Sequence, residues 1–306
     1  MKVLFLFLDG VGLGSGDPEV NPFARADLPN IKSLLQGNQL VAPSAPMVGS
    51  RATLLALDAC LGVAGLPQSA TGQATLLTGM NIPALLGYHY GPKPNPPIAQ
   101  LLNNGNLFSK LDRAGRRAAL INAYPPGYFD AINTRRRIYS AIPLAVTSAG
   151  LSLMTARELI EQRAIAADFT ALGWREHLNL PETPTLTPVQ AGLRLAALSE
   201  NYEFTFFEYW LSDLVGHRQE MSAACALLET VDQVLGSLVT AWDDEQGLII
   251  LTSDHGNLED LSTRRHTSNP VPALLIGSAS IRLSLQRKLT SLVDVAPAIT
   301  ELLLES

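Results

Sequence analysis

The sequence predicts an α/β protein with a mostly parallel central sheet flanked by helices and at most a small cap. Three observations carry that expectation. Four apolar runs have the length and composition of strands buried on both faces, namely Lys2–Leu8, Arg117–Ala123, Phe204–Tyr209 and Leu248–Thr252. Helical patterns separate or follow them, which is the alternation expected of a parallel sheet. Polar motifs begin at the carboxyl ends of three of these runs, where the chemistry of such sheets gathers.

The first run, KVLFLFLD, closes on Asp9 and a series of glycines, Gly10, Gly12, Gly14 and Gly16. Asn21-Pro22 then opens a helical stretch expected to reach Leu35, with Pro22 suited to a first helical position. Further helices are expected over Asn106–Gly115, Thr187–Leu198 and Met221–Trp242. Residues 87–97 (GYHYGPKPNPP) read as a Pro/Gly-rich loop. Residues 125–186 mix loops with two helices and suggest a small cap over the sheet edge within one 306-residue domain.

Composition narrows the function. With 47% hydrophobic and 16% charged residues the chain is globular. A formal charge of −6 argues against a nucleic-acid surface, and a small anionic substrate would need local positive charge. Cys60 and Cys225 lie among apolar and small residues and read as buried reduced thiols. The apolar run at the start is too short for a signal peptide. No stretch reads as the roughly 20 apolar residues of a membrane span, so a cytoplasmic location is expected.

Acidic and imidazole groups cluster at strand ends. Asp9 ends the first strand, Asp213 and His217 (SDLVGH) follow the third, and Asp254 and His255 (TSDHGN) follow the fourth, with His266 shortly after. Each alone is an ordinary loop residue. Together they put three carboxylates and three imidazoles on one rim, enough for two metal ions if an anionic hydroxyl adds a further ligand. GLPQSATGQATLLTG, residues 65–79, offers Ser69 and Thr71 at a helix start, where the helix field favours an alkoxide. Capping is the commoner use of such a serine.

These segments resemble the alkaline phosphatase superfamily, and within it cofactor-independent phosphoglycerate mutase. LFLDGVGLG with NPFARADLPNIKSLL, then GVAGLPQSATGQATLLTG, YWLSDLVGH, TSDHGNLED and HTSNPVPALL are similar to that enzyme's segments in the same order. The resemblance implies an alkaline phosphatase-like core. It further implies that Asp9, Ser69, Asp254 and His255 hold one divalent ion, and Asp213, His217 and His266 the other. Manganese is suggested by the mutase and zinc by the phosphatases. Ser69 falls at the nucleophile position, three residues before Gly72, with Thr71 the rival.

Two departures stand out. Gln73 replaces the mutase's histidine, and the large inserted substrate domain has no counterpart between the nucleophile segment and the later strands. The resemblance therefore covers roughly residues 1–86 and 187–306. It implies phosphoryl transfer on a small phosphorylated substrate through a phosphoserine. Hydrolysis by a phosphatase or phosphodiesterase is expected first, a phosphomutase second and a non-catalytic metal-binding protein third. No Cys/Ser-x-Pro-x-Arg motif of a sulfatase is present. For the substrate's other anionic groups the candidates are Arg135, Arg136 and Arg137, with His89 and Lys93 in the Pro/Gly-rich loop. A solvated surface patch is the commoner use of such a basic run. His177 reads as surface, and Asn21 as a helix cap or an aid to the first metal loop. Oligomeric state is not legible.

Overall fold

The apolar run that opens the chain becomes β1 (Lys2–Leu8), the strand around which the computed structural model, describing residues 1–305, is built. The other strands are β2 (Met47–Val48), β3 (Ala52–Leu57), β4 (Ala118–Leu120), β5 (Ala123–Tyr124), β6 (Met154–Thr155), β7 (Phe204–Tyr209), β8 (Gly247–Thr252) and β9 (Val271–Gly277). Seven of them form one sheet in the order β2-β3-β9-β8-β1-β7-β4, and β5 pairs with β6. The strands β4, β7, β1 and β8 are mutually parallel. Beyond β8 the pairing turns antiparallel, so β9 and β2 run against the rest while β3 shares the direction of β1.

Both faces of the sheet are covered. Val3, Phe5 and Phe7 point into one core with Phe206, Leu248 and Ile250, while Leu4, Leu6 and Leu8 point into the other with Phe207, Ile249 and Leu251. That alternation explains why the central strands read as unbroken apolar runs. Residues 126–148 add helices Pro126–Asn133 and Ala141–Ser148 to the first core through Tyr128, Ile142, Ala145 and Val146. Leu159, Ala164, Ala171 and Trp174 form a small separate cluster.

Several expectations need correction. The stretch from Pro22 is two short helices, Pro22–Arg25 and Pro29–Leu34, because Pro29 holds Leu28 in a non-helical conformation and starts a new helix. The run at 117–123 yields only three residues of β4 before the chain leaves the sheet edge. Strands β2, β3, β6 and β9 were not expected, nor β5 as a strand of its own; β9 carries Pro272, a residue that argues against an interior strand. Helix Met221–Ala241 is apolar enough to meet a length-and-hydropathy test for a membrane span, with a mean hydropathy of 1.3. It is a core helix, burying Leu228, Val231, Leu235 and Leu238 in the second core. Cys60 and Cys225 are free but only half-buried.

Candidate functional site

Topology brings the polar motifs to one rim. Asp9 leaves the end of β1, Asp213 and His217 lie on helix Leu211–Arg218 just beyond β7, and Asp254 and His255 leave β8. Because β9 runs antiparallel, the segment that precedes it, with His266, starts on that same rim. The Gly256–Thr267 bridge fastens the two segments together. The helix Ser69–Thr78 follows β3, which shares the direction of β1, so the serine also arrives there.

The side chains converge. Asp213 and His217, four residues apart on one helix face, stand 3.3 Å apart, and His266 Nε2 is 3.3 Å from His217 Nε2 and 3.6 Å from Asp213 Oδ1. His255 Nε2 lies 3.3 Å from Asp9 Oδ1, 3.6 Å from Asp254 Oδ2 and 3.0 Å from Ser69 Oγ. The imidazoles of His255 and His266 stack with centroids 3.8 Å apart. Two groups of potential ligand atoms lie within 4.8 Å of one another: Asp213, His217 and His266, and Asp9, Asp213 and His255. Asp213 stands between them, whereas the resemblance assigned it to one ion only.

Electrostatics fit cations at this place. Burial, reinforced by Asp254, raises the Asp9 carboxyl well above its ordinary range, and burial raises Asp254 as well. Burial alone would push His255 down, but Asp254 and Asp9 overcome it and hold the imidazole up to about 10. His266 is lowered, by burial and then by the neighbouring His255. Asp9 Oδ1 is buried without a hydrogen-bond partner. Three carboxylates in low dielectric repel one another, and their donor set of oxygen and imidazole nitrogen suits manganese or zinc.

Ser69 is the first residue of its helix and not its cap. Gln68 occupies the cap position and makes no capping bond. The rival Thr71 is already engaged, donating to Gln68 O at 3.0 Å and accepting from Tyr90 N at 3.2 Å. Gln73 donates to Asp254 Oδ2 at 3.1 Å and Asp9 Oδ2 at 3.4 Å, so the residue that departs from the mutase pattern still faces the carboxylates. Asn21 caps its helix by accepting from Phe23 N and also ties down Ser15 O.

The loop that carries His89 and Lys93 packs against the start of the Ser69 helix, where a Cβ at Gly91 would lie 3.2 Å from Ser69 N and Thr71 N donates to Tyr90 O at 3.0 Å. His89 is half-buried against Val63 O at 3.3 Å, Lys93 is half-buried, and His177 is exposed. Arg135 and Arg136 are exposed, while Arg137 lies over the Tyr128 ring at 4.8 Å. Sequence reasoning overlooked Glu208, Asn257 and Glu259. Glu208 on β7 is buried and bonded to Tyr124 Oη at 3.2 Å, and burial pushes its carboxyl up to about 7. Asn257 donates to Asp213 Oδ1 at 2.6 Å. Their one signal is that a charged or amide side chain interrupts or follows strands that are otherwise mostly apolar.

Comparison with known proteins agrees with this geometry. A family model described as the metalloenzyme superfamily matches residues 189–305. That match covers under half of the chain. The match takes in Asp213, His217, Asp254, His255 and His266 and leaves Asp9 and Ser69 outside it. A 2,3-bisphosphoglycerate-independent phosphoglycerate mutase from Desulforudis audaxviator is 41% identical over 110 residues, which is 34% of this chain and 21% of that one. The mutase of Cereibacter sphaeroides is 38% identical over 115 residues, 35% of this chain and 22% of that one. The matched region thus spans about a fifth of these relatives' length.

Solved structures share this fold across the whole chain. The PH0037 protein from Pyrococcus horikoshii superposes with a TM-score of 0.60 at 15% identity, covering 100% of this chain and 97% of that one. Alkaline phosphatase from the Antarctic bacterium TAB5 gives 0.53 at 12%, covering 99% and 97%. Leishmania mexicana phosphoglycerate mutase gives 0.51 at 13%, covering 99% and 95%. These likenesses show the fold, an α/β core with a central sheet flanked by helices.

Proposed function

We propose that this chain is a metal-dependent hydrolase of phosphate esters, acting on a small phosphorylated substrate through a phosphoserine at Ser69. One observation carries the reading. The Ser69 hydroxyl does not cap its own helix but stands 3.0 Å from His255 Nε2, beside Asp9 and Asp254. In this reading Asp9, Ser69, Asp254 and His255 hold one divalent ion, and Asp213, His217 and His266 the other. Two such ions, when bound, lower the pKa of the serine hydroxyl and neutralise charge on the phosphoryl oxygens.

The residues divide the work. Ser69 Oγ attacks phosphorus, its proton passing to solvent, and the bond to the ester oxygen breaks with its electron pair leaving on the departing alcohol. Water then attacks the phosphoserine, the bond between phosphorus and Ser69 Oγ breaks, and inorganic phosphate leaves as Ser69 recovers a proton. Gln73 donates to one oxygen of each of Asp9 and Asp254 and so helps fix the orientation of both carboxylates. Thr71 anchors Tyr90 of the neighbouring loop and takes no part in bond-making.

A phosphomutase is the second reading, favoured by the phosphoglycerate mutases that match part of the chain. A metal site without catalysis fits less well, since structural sites have no use for an uncapped serine among the ligands. The test is a screen of manganese- or zinc-loaded protein against phosphomonoesters, phosphodiesters and sulfate esters, with Ser69→Ala and Thr71→Ala alongside. Phosphate release lost in Ser69→Ala and largely kept in Thr71→Ala supports the proposal. The reverse pattern overturns the nucleophile assignment.

A further inference from the structure

Glu259 is 1% exposed, and its carboxylate is the meeting point of three loops. Oε2 accepts from Gly12 N at 2.9 Å, in the loop after Asp9, and from Asn257 N at 2.7 Å, two residues beyond His255. Oε1 accepts from Asn269 Nδ2 at 3.0 Å and from the hydroxyl of Thr267, the neighbour of His266. The Asn257 side chain extends the chain of bonds to the fourth ligand-bearing segment, donating to Asp213 Oδ1 at 2.6 Å and Asp213 O at 3.1 Å. The packing leaves no other use for this space. A Cβ at Gly12 or Gly256 would come within 2.3 Å or 2.2 Å of Glu259 Oε1, and one at Gly14 within 2.9 Å of its Cγ.

We infer that Glu259 is the positioning residue of the metal centre, setting the mutual placement of the Asp9, Asp213, His255 and His266 segments without itself touching an ion. The inference rests on the reading that these residues hold two ions. Four donors meet two oxygens, so every acceptor site is taken and the carboxylate fits this place better than any neutral side chain. In Glu259→Gln an NH₂ group would face two donors. One pair of bonds would be lost and the loops would separate by a fraction of an ångström, enough to degrade coordination geometry.

A general loss of stability must be told apart from this role, and the molecule supplies a control. Asp232, also 1% exposed, accepts from Asn30 N, Asn30 Nδ2 and Ile31 N on a distant helix pair. Asp232→Asn removes a comparable buried carboxylate with no link to the centre.

Manganese chloride is titrated calorimetrically into metal-free wild type, Glu259→Gln and Asp232→Asn, each well below its melting temperature. Two ions per wild-type chain are expected, with unchanged affinity in Asp232→Asn and roughly 10–100-fold weaker binding of at least one ion in Glu259→Gln. Equal affinity in Glu259→Gln and wild type overturns the inference, as does an equal loss in Asp232→Asn. If Glu259→Gln does not fold, Thr267→Val removes a single donor at similar volume. It is then expected to weaken manganese several-fold, and wild-type affinity there overturns the inference. Wild type that binds no manganese or zinc overturns the two-ion reading beneath it.

Discussion

Ser69 and Thr71 show how far a hydroxyl's role depends on its partners. The sequence offers both at a helix start, and only the fold engages Thr71 in holding Tyr90 while leaving Ser69 to His255. Ser69→Ala is therefore expected to lower phosphate release by roughly 10³–10⁶-fold. Thr71→Ala is expected to cost about 1 kcal/mol of stability and little turnover. Activity assays with thermal melts separate the two. Glu208 was not legible, since a lone acid in FTFFEY gives no sign that it lies buried. Burial raises it to about 7, so the folded protein keeps a proton that the unfolded chain releases near the ordinary 4.5. This contribution is fully present below about 4.5 and is lost as pH rises to about 7, at most roughly 3 kcal/mol. In chelator-treated protein, Glu208→Gln should flatten the fall in melting temperature across that window relative to wild type. An unchanged slope would show that Glu208 is not the group responsible.

Elements with a single strong signal were readable. The unbroken apolar runs announced β1, β7 and β8, because buried parallel strands need apolar residues on both faces. β9 was hidden by Pro272 and by the motif preceding it, and the break at Pro29 was hidden within a pattern that looked continuous. The candidate site was legible because its acidic and imidazole groups leave strand ends within short motifs. The bonds that hold those motifs together cross as many as 247 positions and leave no local trace. The nucleophile helix shows the same limit. Gly72 reads as a plain small residue, yet a Cβ there would lie 2.8 Å from Asp254 O and 2.9 Å from Asp254 Cβ. Gly72→Ala should therefore push the helix off the ligand loop, costing about 1–3 kcal/mol and on the order of 10²-fold in turnover. Gly127, with nothing within 4 Å of its Cβ position, is the control, and Gly127→Ala should leave turnover unchanged. Equal effects at the two sites would mean that close approach at Gly72 is unimportant.

At the scale of the whole molecule the question is whether water reaches the phosphoserine. A mutase must retain the dephosphorylated product until the phosphoryl group returns to a second hydroxyl, which calls for a water-excluding enclosure. Between the nucleophile helix and β7, much of the chain is committed elsewhere. Helices Pro96–Asn104 and Leu107–Arg113 and strand β4 belong to the central layers, and residues 126–148 bury Tyr128, Ile142 and Val146 in the core beneath β1. In the rest of the segment to residue 186, Leu153 joins that core, Ile165 and Phe169 join the opposite one, and Leu159, Ala164, Ala171 and Trp174 form the small cluster. At the centre itself, the side chain of His217 is 42% exposed. Water should therefore win the second step and the phosphoryl group should leave as inorganic phosphate. Phosphorus NMR of a turning-over phosphate ester in ¹⁸O-labelled water decides the matter. Labelled inorganic phosphate as the main product is the expected result. Phosphate moved to a new position on the same carbon skeleton, with none released, would overturn the hydrolytic reading in favour of the mutase.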